Sequence, residues 1–234
     1  MNVLMQRELE GELASDLKER IIYYAMYGTV LIVLTWLLGP RVLDWFSIMG
    51  MNRFVSVMAI IVVSSTINEK LKNDSSNRQM SFLQTLPVPK SQLVHAKFLH
   101  MLLMWAMAFV WLSAVTSVNL LLNGSWTFEL WTHVWGFTSA SLFIQAMALL
   151  CYFSKGYRGV QAVFYLSALA WAAIFIPLGL TLKETGLSKG ELWGTALIAA
   201  FIICGISWRI AVRKVNARGI PEENRDDFVT DEVY

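Results

Sequence analysis

The sequence predicts an all-α integral membrane protein with six transmembrane helices, an N-terminal amphipathic helix ahead of them, and a short cytoplasmic helix between the second and third. Three observations support this. The chain of 234 residues is 56% hydrophobic and only 15% charged, whereas a soluble domain carries about a quarter charged residues. The charges are also segregated: the runs 21–40, 54–68, 98–128, 130–154, 159–182 and 192–208 hold no Asp, Glu, Lys or Arg. A hydrocarbon core about 30 Å thick is crossed by roughly 20 helical residues, and the runs lack the period-2 alternation of a transmembrane barrel. Finally, Lys and Arg fall unequally between alternate inter-run segments, fifteen against four. Because such residues are retained on the cytoplasmic side, both termini and the segments 69–97 and 155–158 are expected there.

Taken in order, residues 1–20 repeat apolar side chains at Met5, Leu9, Leu13 and Leu17, with Glu8, Glu10, Glu12, Asp16 and Glu19 on the other faces. That is an amphipathic helix lying on the membrane surface or against neighbouring helices. It has no apolar h-region, so no cleavable signal peptide is expected. The six spans, within the domain 21–212, are placed at about 21–40, 47–67, 98–122, 131–153, 160–182 and 192–212. The second must include Arg53, whose long stem lets the guanidinium reach the outer headgroups or a substrate there. Trp126, Phe128, Trp131 and Trp135 gather around the outer loop between spans three and four, as an interfacial belt or a resting surface for an amphipathic cargo. Pro177 and Gly179 are expected to break or kink the fifth span near its outer end. Residues 213–234 form a tail that ends in Glu222, Glu223, Asp226, Asp227, Asp231 and Glu232, a solvated acidic segment.

The segment between spans two and three carries the most information. Ser76 followed by Gln79 is a capping box, Met80, Phe82, Leu83 and Leu86 supply an apolar face, and Pro87 stops the helix. Pro89 suits the first turn of a second helix that continues through Leu93 and Lys97 into the third span. A short helix joined rigidly to a membrane helix is a lever, since displacement of Phe82, Leu83 and Leu86 would reach the bilayer with little slack.

Several function classes are excluded. No G-x-x-x-x-G-K-[ST] loop occurs, so the chain is not expected to hold nucleotide phosphates. None of the six runs contains a carboxylate or a lysine, which argues against ion-coupled carriage. His95, His100 and His133 fit no H-E-x-x-H pattern, so no metal is expected. Cys151 and Cys204 lie in apolar runs and read as small buried hydrophobes. Serines in the spans have no positioned base and suit hydrogen bonding between or within helices. No enzyme activity is expected, and the net charge of +2 offers nothing to nucleic acid.

The run Phe82-Leu83-Gln84-Thr85-Leu86-Pro87-Val88-Pro89-Lys90, with Glu69-Lys70 before it and Leu93 and Lys97 after it, resembles the signature of bacterial ABC-2-type permease subunits. Their pattern is leucine-rich, then Ser or Thr, Leu-Pro, Val or Ile, commonly Ser-Arg, then a helix ending in Lys before the third span. Pro89-Lys90 replaces Ser-Arg, keeping the positive charge and changing the turn. The six-span layout and acidic amphipathic start extend the similarity over nearly the whole chain. The resemblance implies that 76–86 is a coupling helix docking on a cytoplasmic ABC ATPase, which binds ATP as a separate subunit while this chain carries no cofactor. Ser81, Phe82, Leu83, Leu86 and Pro87 would form the docking surface, with Arg78 and Lys90 as steering charges. It further implies a multi-pass subunit in a bacterial cell membrane, pairing with a second permease, identical or related, among membrane lipids. Export of an amphipathic or hydrophobic cargo (peptide, antibiotic or lipid-linked molecule) would follow, with Arg53, Trp126, Trp131 and Trp135 as outer-face contacts. The alternative from a different class is a non-transporting immunity or sensor protein that binds an amphipathic peptide.

Overall fold

Pro89 marks the first clear boundary. Its carbonyl accepts a hydrogen bond from the Gln92 N–H at 2.9 Å, and helix α1, Lys90–Leu122, follows without interruption for 33 residues that include neither Gly nor Pro. In this computed structural model the described residues are 71–72, 89–122, 128, 132–180 and 188–221. The expected N-terminal helix, spans 21–40 and 47–67, and the short helix at 76–86 lie outside them. At about 1.5 Å per residue, α1 is ~50 Å long, well beyond a ~30 Å hydrocarbon core. The helix expected to continue through Leu93 and Lys97 into the third apolar run does so: α1 passes straight through both residues. No helix breaker stands between Lys90 and the third apolar run, so nothing in the backbone favours a stop there.

The remaining elements are α2, His133–Lys155, a 3-10 turn at Tyr157–Gly159, α3, Val160–Leu180, and α4, Lys189–Arg218. Gly156, at φ 79°, ends α2 and donates its N–H to the Tyr152 carbonyl at 2.9 Å, a left-handed closure that favours glycine. The turn is tight: a β-carbon on Gly159 would meet Cys151 Sγ at 2.8 Å. α3 then returns antiparallel to α2, with the rings of Phe143 and Trp171 centred 5.1 Å apart. Pro177 lies inside α3 and the helix continues to Leu180, so of the expected break or kink the break is absent. Proline is tolerated in membrane helices when local adjustment satisfies the freed carbonyl. α4 opens with a full capping box, in which Ser188 Oγ accepts from the Glu191 N–H and the Glu191 carboxylate accepts from the Ser188 N–H.

α2 is the central helix, packed against the other three. It runs parallel to α4 and antiparallel to α1. Trp105 Nε1 of α1 donates to the Thr138 carbonyl of α2 at 2.8 Å, and Trp105 meets Phe201 of α4 edge-on at 5.1 Å. The seam on α4 is a row of small residues, Ala196, Ala200, Cys204, Ser207 and Ala211, all buried, which lets the backbones approach closely as membrane helices require. Among the described residues, three helical stretches, Lys90–Val118, Val134–Lys155 and Gly190–Arg218, are long and apolar enough to cross a membrane, and Val160–Ile174 is a shorter apolar one.

Candidate functional site

The described residues converge at one end of the bundle, where α1 begins and α2 and α4 finish. Lys90 opens α1 and is exposed. Its ammonium nitrogen lies 3.4 Å from where a β-carbon on Gly219 would stand. Gly219 closes α4 at φ 80°, with its N–H bonded to the Val215 carbonyl at 3.0 Å. A cation beside the carboxyl end of a helix is favoured by the helix dipole, and Lys155 and Arg218 occupy the last turns of α2 and α4 in the same sense. Lys214 of α4 donates to Ser154 Oγ of α2 at 3.1 Å, tying the two carboxyl ends together.

One turn inward, Trp208 of α4 is the keystone between the last helix and the first. Its indole stacks on Phe98 with centroids 5.5 Å apart and planes 7° from parallel, and its Nε1–H donates to His95 Nδ1 at 2.9 Å. In that bond Nδ1 is the accepting ring nitrogen. Lys97 and His100, further along α1, are buried and engaged by neighbouring groups.

Leu71, Leu93, Val215 and Ile220 belong to one buried cluster. Residues 73–88 are therefore bracketed by two leucines, Leu71 and Leu93, held in the same core. Of the docking residues expected from the sequence, only Lys90 is described; Arg78, Ser81, Phe82, Leu83, Leu86 and Pro87 lie outside the described residues. So do Arg53, Trp126 and Trp131, which the sequence reading assigns to the opposite end.

At that opposite end Trp135 of α2 is half-buried. It meets Phe128 edge-on at 5.9 Å and lies against Gly194 of α4, where a β-carbon would sit 3.6 Å from Trp135 Cζ3. Trp193 of α4 lies against Gly136 of α2 in turn. Sequence reasoning missed this reciprocal contact and the Trp208–His95 bond. The available signal was the Trp-Gly dipeptide, present in two spans of the same direction at 135–136 and 193–194.

Chemically, the arrangement offers little besides packing and surface charge. Glu191 is the single carboxylate among the described residues, and no group of three or more His, Cys, Asp or Glu side chains is placed to hold a metal among them.

No curated protein and no solved structure matches the chain. A family model does, described as ABC-2 family transporter protein, over residues 17–216. That stretch begins inside the acidic amphipathic segment, takes in the Leu86-Pro87 motif and ends in α4. By this match the chain belongs to the ABC-2 family of transporter membrane proteins.

Proposed function

We propose that this chain is the membrane subunit of an ATP-binding-cassette exporter of amphipathic or hydrophobic cargo, driven by ATP hydrolysed on a separate cytoplasmic subunit. Two such permeases, identical or related, complete the pathway in a bacterial cell membrane, with both termini in the cytoplasm. The observation that carries the reading is the continuity of α1. An unbroken helix starts at Lys90, immediately after the Leu86-Pro87-Val88-Pro89 motif, and runs into the bilayer.

Force applied to the docking segment 76–86 would enter α1 at its first turn, since the sequence between them is Pro87-Val88-Pro89, with no Gly or Ser to supply a flexible joint. α1 is coupled to α4 through Trp208, and α4 to α2 through the small-residue seam and Lys214. Closure of the ATPase pair would then tilt these helices together and open or shut a path along the interface between permeases. Arg78 and Lys90 steer the acidic partner surface, and the outer rings of Trp126, Trp131 and Trp135 meet the cargo as it leaves. The chain itself performs no covalent chemistry.

The test is the double substitution Phe82→Ala/Leu86→Ala in the full-length protein, expressed with its ATPase. Copurification of the ATPase should weaken and cargo-stimulated ATP hydrolysis should be lost. Unchanged coupling in that variant would reject the assignment.

A further inference from the structure

Opposite its small-residue seam, α4 turns a second row outward. Ile198, Ile202 and Ile206 are 62%, 58% and 52% exposed, and Arg209 and Arg213 continue the same line, both exposed. Steps of four, four, three and four keep all five side chains within about 80° of one another at ~100° per residue. Gly205 lies on this face, and a β-carbon there would find nothing within 4 Å. It leaves a shallow notch in an otherwise branched aliphatic row.

Arg209 and Arg213 make no hydrogen bond or ion pair among the described residues. Lys214 differs, being drawn to α2 by its bond to Ser154. Residues four apart on a helix bring their β-carbons to about 5–6 Å, close enough for two guanidiniums to share one phosphate.

We propose that this row binds an anionic phospholipid from the leaflet in which the carboxyl end of α4 lies. Arg209 and Arg213 hold the phosphate, and an acyl chain lies in the notch at Gly205 between Ile202 and Ile206. The dimensions fit: from Arg209 back to Ile198 is about 16 Å along the helix, roughly half of a ~30 Å hydrocarbon core and so one leaflet. A free phosphate would leave the aliphatic row and its notch without a role.

The experiment uses the purified full-length protein in micelles containing equal amounts of phosphatidylglycerol and phosphatidylcholine with the same acyl chains, read by native mass spectrometry. The unsubstituted protein should retain phosphatidylglycerol roughly tenfold over phosphatidylcholine, as two charge-assisted contacts would give. Arg209→Gln/Arg213→Gln should bring the ratio near one, and Arg209→Lys/Arg213→Lys should fall between. Lys155→Gln/Arg218→Gln, which removes two charges elsewhere at the same end, should leave it unchanged. Gly205→Leu, which fills the notch, should lower retention with both arginines intact. A ratio near one in the unsubstituted protein overturns the proposal. So does an equal loss in the Lys155/Arg218 control, which would mean diffuse surface charge. Equal competition by inorganic phosphate would assign the site to a free anion instead. If the arginine substitutions dissociate a permease dimer while leaving the lipid ratio intact, the row is a subunit contact and the lipid site is rejected.

Discussion

Trp193 of α4 occupies the space that a side chain at Gly136 of α2 would need: a β-carbon there would lie 2.4 Å from Trp193 Cε3. The contact is reciprocal in kind, since Trp135 lies over Gly194, and it lies at the amino ends of two parallel helices. Further along the same pair, Ser207 faces Met147 at 4.0 Å and Lys214 bonds Ser154. The separation in sequence stays nearly constant, so α2 and α4 pack in register along their full length.

The two glycines should respond differently to the same change. Gly136→Ala forces an aromatic ring rather than a flexible chain end to move, which costs about 1–3 kcal/mol by overpacking. At Gly194 the added methyl would meet Trp135 at 3.6 Å, ordinary contact, while replacing a helical glycine gains ~0.5–1 kcal/mol. Thermal unfolding in detergent should therefore show Gly136→Ala melting lower than the unsubstituted protein and Gly194→Ala at or above it. Equal shifts of the same sign would contradict the asymmetric geometry.

Among the described residues each apolar run from 98 onward overlaps a helix, as expected where charge is excluded from hydrocarbon regardless of tertiary detail. The runs mark the helix ends less closely. Sequence placed the last span at about 192–212, whereas α4 runs from Lys189 to Arg218; its ends are set by the Ser188 cap and by Gly219, not by where the charges begin. Pro89 was legible as a helix start because a missing N–H is harmless there. Pro177 suggests a break or a kink, and α3 shows no break, since the sequence carries no information about how neighbours satisfy a freed carbonyl. The Trp-Gly clasp was illegible for a related reason: a glycine looks like a gap until the ring that fills it is located in another helix.

Trp208 joins α4 to α1 by two separable interactions. Trp208→Phe keeps an aromatic ring over Phe98 and removes only the donor to His95, so it should cost about 1 kcal/mol. In a His95→Ala background the same change should cost much less, and the difference is the coupling read from a double-mutant cycle of unfolding free energies. A cycle that closes with zero coupling would mean the 2.9 Å bond contributes nothing to holding the helices together.

The lever reading makes a mechanical prediction distinct from docking. Inserting Gly-Ser-Gly between Pro89 and Lys90 leaves the docking residues and α1 intact but introduces a flexible joint between them. ATPase copurification should persist while cargo-stimulated ATP hydrolysis drops toward its basal rate. Retained stimulation with the insert in place would show that force reaches the membrane by another route.

Gln145 raises a different question in the middle of α2. The residue is fully buried. Its Nε2 donates to Ser141 Oγ at 2.8 Å, while Oε1 has no hydrogen-bond partner among the described residues. An unsatisfied buried acceptor costs about 1–3 kcal/mol, whereas exchanging such a group for an apolar one of similar shape is close to neutral or stabilising. Gln145→Met should therefore leave the unfolding temperature unchanged or raise it, and Ser141 can turn its hydroxyl to the carbonyl one helical turn back. A clear fall in stability would mean that Oε1 is satisfied in the folded protein and that the methionine removes a real bond. If stability holds and transport declines, the amide serves a conformation in which that oxygen gains a donor, and its cost in this one is the strain that favours leaving it.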